Sequence, residues 1–311
     1  MSATVVASKL DALRAQMPAL QATGYFNAGT FGPMPNVGIE AAQALLQSDL
    51  ELGRITPGGY ERAGERNRSV LEIAAGMFGA DAREFALTHS AGEGLNIALM
   101  GIDWSAGDEV ITTAEEHPGL LNPLALLSRR AGVINRVVPA SSDTSEFLDS
   151  IEGKITSGTR VIALSHVLWS TGTVVPLREI CELARQHELM VIVDAAQSAG
   201  QVPLNLHDIG VDAYAMAGQK WLCGPEGTGL LYVRYDRFAD ISPTYARYGL
   251  KRWVPPLEAT RTLVESYYAG NPPFEPGFDA SGHRALWNND LARQKLGFAP
   301  QHSWRETVGS R

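Results

Sequence analysis

From about residue 84 the chain alternates short β-rich runs with helix-length stretches, and this alternation constrains the fold more than any other feature. "EFALT" (84–88) precedes a helical stretch near 93–101, and "DEVITTA" (108–114) precedes one near 118–131. "GVINRVVP" (132–139) leads to a helix near 145–154, and "RVIALSHV" (160–167) to one near 176–188. "LMVIVDAA" (189–196), "DAYAMAG" (212–218) and "GLLYVR" (229–234) complete the set of candidate strands. Strands joined by helix-length crossovers predict an α/β domain with a mostly parallel sheet covered on both faces. The continuous apolar run of "LMVIVDAA" marks a central strand buried on both sides. Beyond about residue 240 the pattern weakens into Pro-, Gly- and aromatic-rich segments, with helices placed only loosely near 257–269 and 286–296.

Composition narrows the function classes. Of 311 residues, 45% are hydrophobic and 19% charged, enough apolar material for a sizeable core. The net charge is −8 and no basic stripe interleaved with aromatics occurs, which argues against a nucleic-acid partner. Two cysteines, Cys181 and Cys223, are too few for a disulfide framework and fit a reducing compartment. The N-terminal segment carries Lys9, Asp11 and Arg14 at helical spacing, without the apolar core of a signal peptide, and no run of membrane-spanning length follows. A cytoplasmic enzyme-sized protein with no membrane partner is the expectation. No metal-ligand set is assigned.

In open α/β sheets, ligands sit beyond the carboxyl ends of the parallel strands. The polar groups at those ends are Thr88–Glu93, Glu115–His117, Ser165–His166, Asp194–Gln197 and Gln219–Lys220. Asp194 ends the most apolar strand, where a carboxylate needs a compensating cation or strong donors. Read alone, it also suits a helix N-cap. Lys220 sits in "AGQKWLCGPEGTGLLYV", a run otherwise built for burial. An aspartate, the Gln197 amide and a lysine so placed suit an aldehyde cofactor with a pyridine ring. The lysine forms a Schiff base, the aspartate keeps the ring nitrogen protonated, and Gln197 donates to the phenolic oxygen. "THSAGEGLN" (88–96) supplies a strand–turn–helix whose free N–H groups suit a phosphate, although such a turn is often only structural. His117 could stack on a flat ring or merely shape a turn. His166 could contact ligand or hydrogen-bond across strand ends.

Together "YFNAGTFGPMP", "EEHPGL", "LSHVLWSTGTVVPL", "VDAAQSAGQVPL", "AGQKWLCGPEGTGLLYV" and "ISPTYARYGL" resemble the class V aminotransferase-like enzymes over about residues 25–249. These are pyridoxal 5'-phosphate (PLP) proteins of fold type I, a group that includes cysteine desulfurases, isopenicillin N epimerases and, nearest in likeness, the L-cysteine/cystine C–S lyases. The resemblance implies a three-layer large domain over 1–240, including an N-terminal substrate-loop segment, and a short, atypical C-terminal region over 241–311. It makes Lys220 the Schiff-base lysine, Asp194 the partner of the pyridine nitrogen, Gln197 the partner of the phenolic oxygen and His117 the group stacked on the ring. Ala91, Gly92 and Glu93 would lie at the phosphate turn, Gln219 beside the lysine, and His166 near the ring oxygen. Asn27, Gly29 and Thr30 would belong to a loop approaching the substrate. A homodimer and a small amino-acid substrate are implied as well.

Departures accompany the likeness. Relatives often carry a threonine where Gly92 stands, and Ser and His where Ala217 and Gln219 stand, so phosphate binding would be retained but thinner. The arginine that grips the substrate carboxylate in relatives has only Arg247 and Arg252 as positional neighbours here, and neither is assigned. A desulfurase needs a nucleophilic cysteine reaching the substrate. Cys181 reads as a buried small hydrophobe, Cys223 as a packing residue in a tight turn, and no cysteine follows. The expected reaction is therefore β-elimination by a C–S lyase. Aminotransfer, epimerisation and a degenerate PLP scaffold with a binding role stand as the alternatives. A nicotinamide enzyme fits poorly, because no G-x-G-x-x-G follows the first strand.

Overall fold

The computed structural model describes residues 3–54 and 56–244, all within one compact unit, Met1–Thr244. Arg247, Arg252 and the two loosely placed helices beyond 250 lie outside the described residues.

Among the described residues, four α-helices precede the first strand: α1 (Ala3–Ala15), α2 (Ala19–Ala22), α3 (Asn36–Leu52) and α4 (Gly59–Phe78). The α/β alternation follows as β1 (Phe85–Thr88), α5 (Ala91–Met100), β2 (Glu109–Thr113), α6 (Pro118–Ala131), β3 (Ile134–Val138), α7 (Thr144–Glu152), β4 (Thr159–Ser165), α8 (Leu177–Gln186), β5 (Met190–Asp194), α9 (Leu206–Ile209), β6 (Ala213–Ala217) and β7 (Gly229–Val233). The seven strands form one sheet in the order β1-β7-β6-β5-β4-β2-β3. All pairings are parallel except those of β7, which runs antiparallel to both β1 and β6.

The strands' side-chain alternation builds the three layers. In β5, Val191 and Val193 enter one apolar cluster while Met190 and Ile192 enter the other. In β4, Ile162 and Leu164 face the first cluster, and Val161 and Ala163 the second. One cluster also takes Phe78 of α4, Phe147 of α7 and Ile180 of α8; the other takes Leu95 of α5 and Leu120 and Leu124 of α6. Each such buried aliphatic or aromatic side chain contributes about 1.5–3 kcal/mol of transfer free energy, so the sheet's centre is set by β4, β5 and β6. The edge strand β3, by contrast, leaves Ile134 and Val137 exposed.

Local chemistry fixes where the helices begin near the strand ends. Ser90 caps α5, its hydroxyl accepting the Glu93 N–H at 3.1 Å. His117 caps α6 through Nδ1, which accepts the Gly119 N–H at 2.9 Å, and Pro118 occupies the first helical position. Both helices thus start directly above the carboxyl edge of the sheet.

Candidate active site

The ends of β4, β5 and β6 lie side by side, with Ser165 in register with Asp194 and Asp194 with Ala215. Asp194 is 4% exposed, and the one hydrogen bond to its carboxylate among the described residues comes from the Ala196 N–H at 2.9 Å. Burial pushes its carboxyl up from the ordinary value, while that donor and the charges of Lys220 and His117 pull it back. Burial lowers the half-buried Lys220 ammonium, and the Asp194 charge opposes that shift. Asp194, Lys220 and His117, distant in sequence, are therefore electrostatic neighbours.

The N-terminal loop joins this group. The Gly32 N–H donates to Gln219 O at 2.7 Å, and a Cβ on Gly32 would stand 2.0 Å from Lys220 O. Only a glycine lets the loop lie this close to the lysine turn. Gln197 Nε2 donates to Gly29 O at 3.0 Å, and Gln197 Oε1 accepts from Trp221 Nε1 at 2.8 Å. Asn27 and Thr30 bond each other, Thr30 Oγ1 donating to Asn27 Oδ1 at 2.8 Å, and neither shares a hydrogen bond with Lys220, Asp194 or Gln197.

The remaining sequence candidates take varied places. Ala91, Gly92 and Glu93 form the first turn of α5; the Glu93 carboxylate accepts the His89 N–H. Buried Gln219 Oε1 lacks a hydrogen-bond partner among the described residues. His166 is buried, its Nδ1 is 2.8 Å from Tyr214 Oη, and that hydroxyl lies 2.6 Å from Ser198 Oγ. Burial lowers the His166 imidazole to about 4, so it is neutral at ordinary pH. Its backbone N–H donates to Asp194 O at 3.1 Å, which ties it to the site through the main chain.

Trp169 and Trp221 were not singled out by the sequence as site components, and Glu116 was named only within the strand-end range Glu115–His117, with no role. Glu116 is buried and gathers the Thr113 hydroxyl at 2.8 Å, the Ser165 N–H at 3.0 Å and the Ser165 hydroxyl at 2.5 Å. It locks the turn that carries His117 onto the end of β4, and burial raises its carboxyl. Trp169 meets the His117 ring edge-on, with centroids 5.4 Å apart and planes at 88°. The Trp221 indole N–H holds Gln197 Oε1. The only available signal for Glu116 was its position beside His117 at a strand end, where a carboxylate needs partners that the sequence does not specify.

The residues fit a cofactor with a cationic ring nitrogen and an aldehyde. A deeply buried carboxylate with one backbone donor gains from a charged N–H partner, and a lysine of lowered basicity stands next to it. The sheet is that of the fold-type-I proteins, and the lysine turn and the buried carboxylate suit pyridoxal 5'-phosphate, the cofactor of that class. More narrowly, the chain belongs to the class-V aminotransferase family, whose model matches residues 25–273.

Curated relatives include a probable cysteine desulfurase 2 of Mycobacterium leprae, 31% identical over 253 residues, covering 75% of this chain and 59% of the relative. A probable cysteine desulfurase of Methanothermobacter thermautotrophicus is 30% identical over 239 residues, covering 76% and 59%. Among solved structures, the cystine C–S lyase C-DES in complex with its product cysteine persulfide is similar, with a TM-score of 0.71 and 34% identity, covering 74% of this chain and 62% of that one. The chain thus spans less than two thirds of the length of these relatives. No described helix is long and apolar enough to cross a membrane.

Proposed function

We propose that the chain acts on a sulfur amino acid, cysteine or cystine, and breaks its Cβ–S bond by β-elimination. The observation that carries the reading is the coupling of buried Asp194 to Lys220 and His117 at the strand ends. PLP, when bound, supplies a conjugated ring that accepts the electron pair left at the substrate Cα.

In this reading Lys220 holds the aldehyde carbon, Asp194 the ring nitrogen and its proton, and Gln197 the phenolic oxygen. The first turn of α5, at Ala91, Gly92 and Glu93, and the amide of Gln219 receive the phosphate. His117 covers one ring face, backed by Trp169. Lys220 Nζ takes the Cα proton; partial burial raises its neutral fraction and so its capacity as a base. His166 supports Asp194 from the neighbouring strand end.

Two observations favour elimination over sulfur transfer to a protein thiol. The likeness to a cystine C–S lyase reaches 34% identity, and the two cysteines within the described residues sit where thiolate formation is disfavoured. Cys181 is buried in α8 with its thiol pushed up to about 12, and burial also raises the Cys223 thiol. The assembly proposed is a homodimer, with residues 1–240 as the cofactor-binding domain and 241–311 as a distinct C-terminal region.

Incubation of the protein with PLP and cystine tests the reading. Elimination with water yields pyruvate, ammonia and cysteine persulfide in equal amounts, and Lys220→Ala removes both the visible cofactor band and the products. Alanine in place of pyruvate would mark desulfuration. A different oxo acid would mark aminotransfer, and a D-amino acid epimerisation. Full PLP occupancy without pyruvate overturns the lyase reading, whereas failure to take up PLP favours a binding role for the scaffold.

A further inference from the structure

We propose that Trp221 is a positioning residue that fixes the amide orientation of Gln197 and, through it, registers the N-terminal loop on the cofactor's phenolic edge. The proposal rests on the PLP reading above and on hydrogen-bond chemistry particular to this chain.

The two neighbours of the Gln197 amide leave it one orientation. Trp221 Nε1–H can only donate, and it meets Gln197 Oε1 at 2.8 Å. Gly29 O can only accept, and it meets Gln197 Nε2 at 3.0 Å. Rotating the amide by half a turn would set N–H against N–H and oxygen against oxygen, losing both bonds. A side-chain amide carries two N–H groups, and the contact with Gly29 uses one. The second N–H is free to donate to an anionic phenolic oxygen while the first keeps the loop. Trp221 immediately follows Lys220, so the residue that orients the amide moves with the residue that anchors the aldehyde.

The loop cannot drift from this arrangement without cost. A Cβ on Gly29 would lie 3.0 Å from Gln197 Oε1, so the backbone is already against the amide. The Trp221 backbone is fixed in turn against Gly200, whose Cβ position is 2.8 Å from Trp221 C and O. Three segments thus meet at a single side chain: the turn after β5, the turn carrying Lys220 and the loop carrying Asn27 and Thr30. Indole, amide and carbonyl form a short chain of bonds along which loss of the first donor reaches the last.

Trp221→Phe keeps the ring volume and deletes the donor. With PLP bound, the pH midpoint of the lysine-dependent visible band should rise by about one unit in Gln197→Ala, because a donor to the phenolic oxygen is lost. Trp221→Phe should move it the same way by a smaller amount. The double variant should match Gln197→Ala, since both act through one bond. In cofactor-free protein, the indole N–H resonance of Trp221 should shift and exchange faster with solvent in Gln197→Ala, which serves as the readout should Trp221→Phe fold poorly. A midpoint unmoved in a well-folded Trp221→Phe, a shift that persists in the Gln197→Ala background, or an unmoved indole resonance overturns this proposal alone. Absence of any lysine-dependent band in the unsubstituted protein overturns the PLP reading and this proposal with it.

Discussion

His166 shows what burial does to a single side chain at the carboxyl edge of the sheet. Its folded-state value is about 4 against an ordinary 6.5, so the unfolded chain binds the proton more readily. Folding stability from this group is therefore fully present above about pH 6.5 and is lost as pH falls from there toward about 4. The shift corresponds to about 3 kcal/mol. Replacing His166 with Gln, which can still bond the Tyr214 hydroxyl, should shrink the stability difference between pH 7.5 and pH 4 by about that amount; urea titrations at both pH values would measure it. An unchanged difference would show that His166 does not titrate as a buried group. At this scale the sequence was informative about types that carry chemistry. Lys220 and Asp194 stood out because charge inside an apolar run demands a reason. Glu116 and Trp221 did not, because their significance lies in partners on other segments, Ser165 and Gln197, which only the fold brings near.

Among elements, the loop of residues 25–32 is held by contacts that leave no room for a side chain at Gly32. Gly32→Ala would place a methyl 2.0 Å from Lys220 O, a distance that forces the loop off the lysine turn. Limited proteolysis should then cut the loop at least about tenfold faster, and the visible band of bound PLP should shift. Gly64→Ala, at a helical position with nothing within 4 Å of the added Cβ, should leave both unchanged. The strands from β1 to β7 and the crossover helices α5 to α8 were legible within a few residues because their periods and breakers agree, whereas the four-residue α9 drew no reading. The helix expected at 118–131 coincides with α6, and "LMVIVDAA" contains β5, buried throughout. The long helices α3 and α4 drew no such reading. In α3 no side chain is buried, so the contrast between apolar and polar faces that exposes a helix in sequence has no core to answer to. The direction of β7 was not legible either: its five residues carry the same apolar signature whichever way they run.

For the whole molecule, the exposed faces of α3 and α4 bear on assembly. Leu46, Leu50 and Leu52 of α3 and Ile73 and Met77 of α4 are exposed, a concentration of apolar surface that marks an interaction face. The proposed homodimer accounts for such a surface. Size-exclusion chromatography with light scattering should give twice the chain mass of 33.5 kDa, and a mass of 33.5 kDa at micromolar concentration would refute it. The fold class and the lysine–aspartate pair could be read from the chain alone, but subunit association depends on surface shape, which no local pattern encodes.

The antiparallel seat of β7 has a kinetic consequence. β6 and β7 are neighbours in sequence as well as in the sheet, so the turn that bears Lys220 is enclosed by a local ladder from Ala217↔Gly229 to Ala213↔Val233. β1, with the first turn of α5 behind it, reaches the sheet only by pairing with β7, Thr88 opposite Gly229. That closure spans most of the chain between them and belongs among the slow, non-local events of assembly. A ligand that touches both turns can bind only after it has occurred. Adding such a ligand during refolding would trap molecules that have completed the closure and leave the others behind, which makes ligand uptake a clock for this non-local pairing.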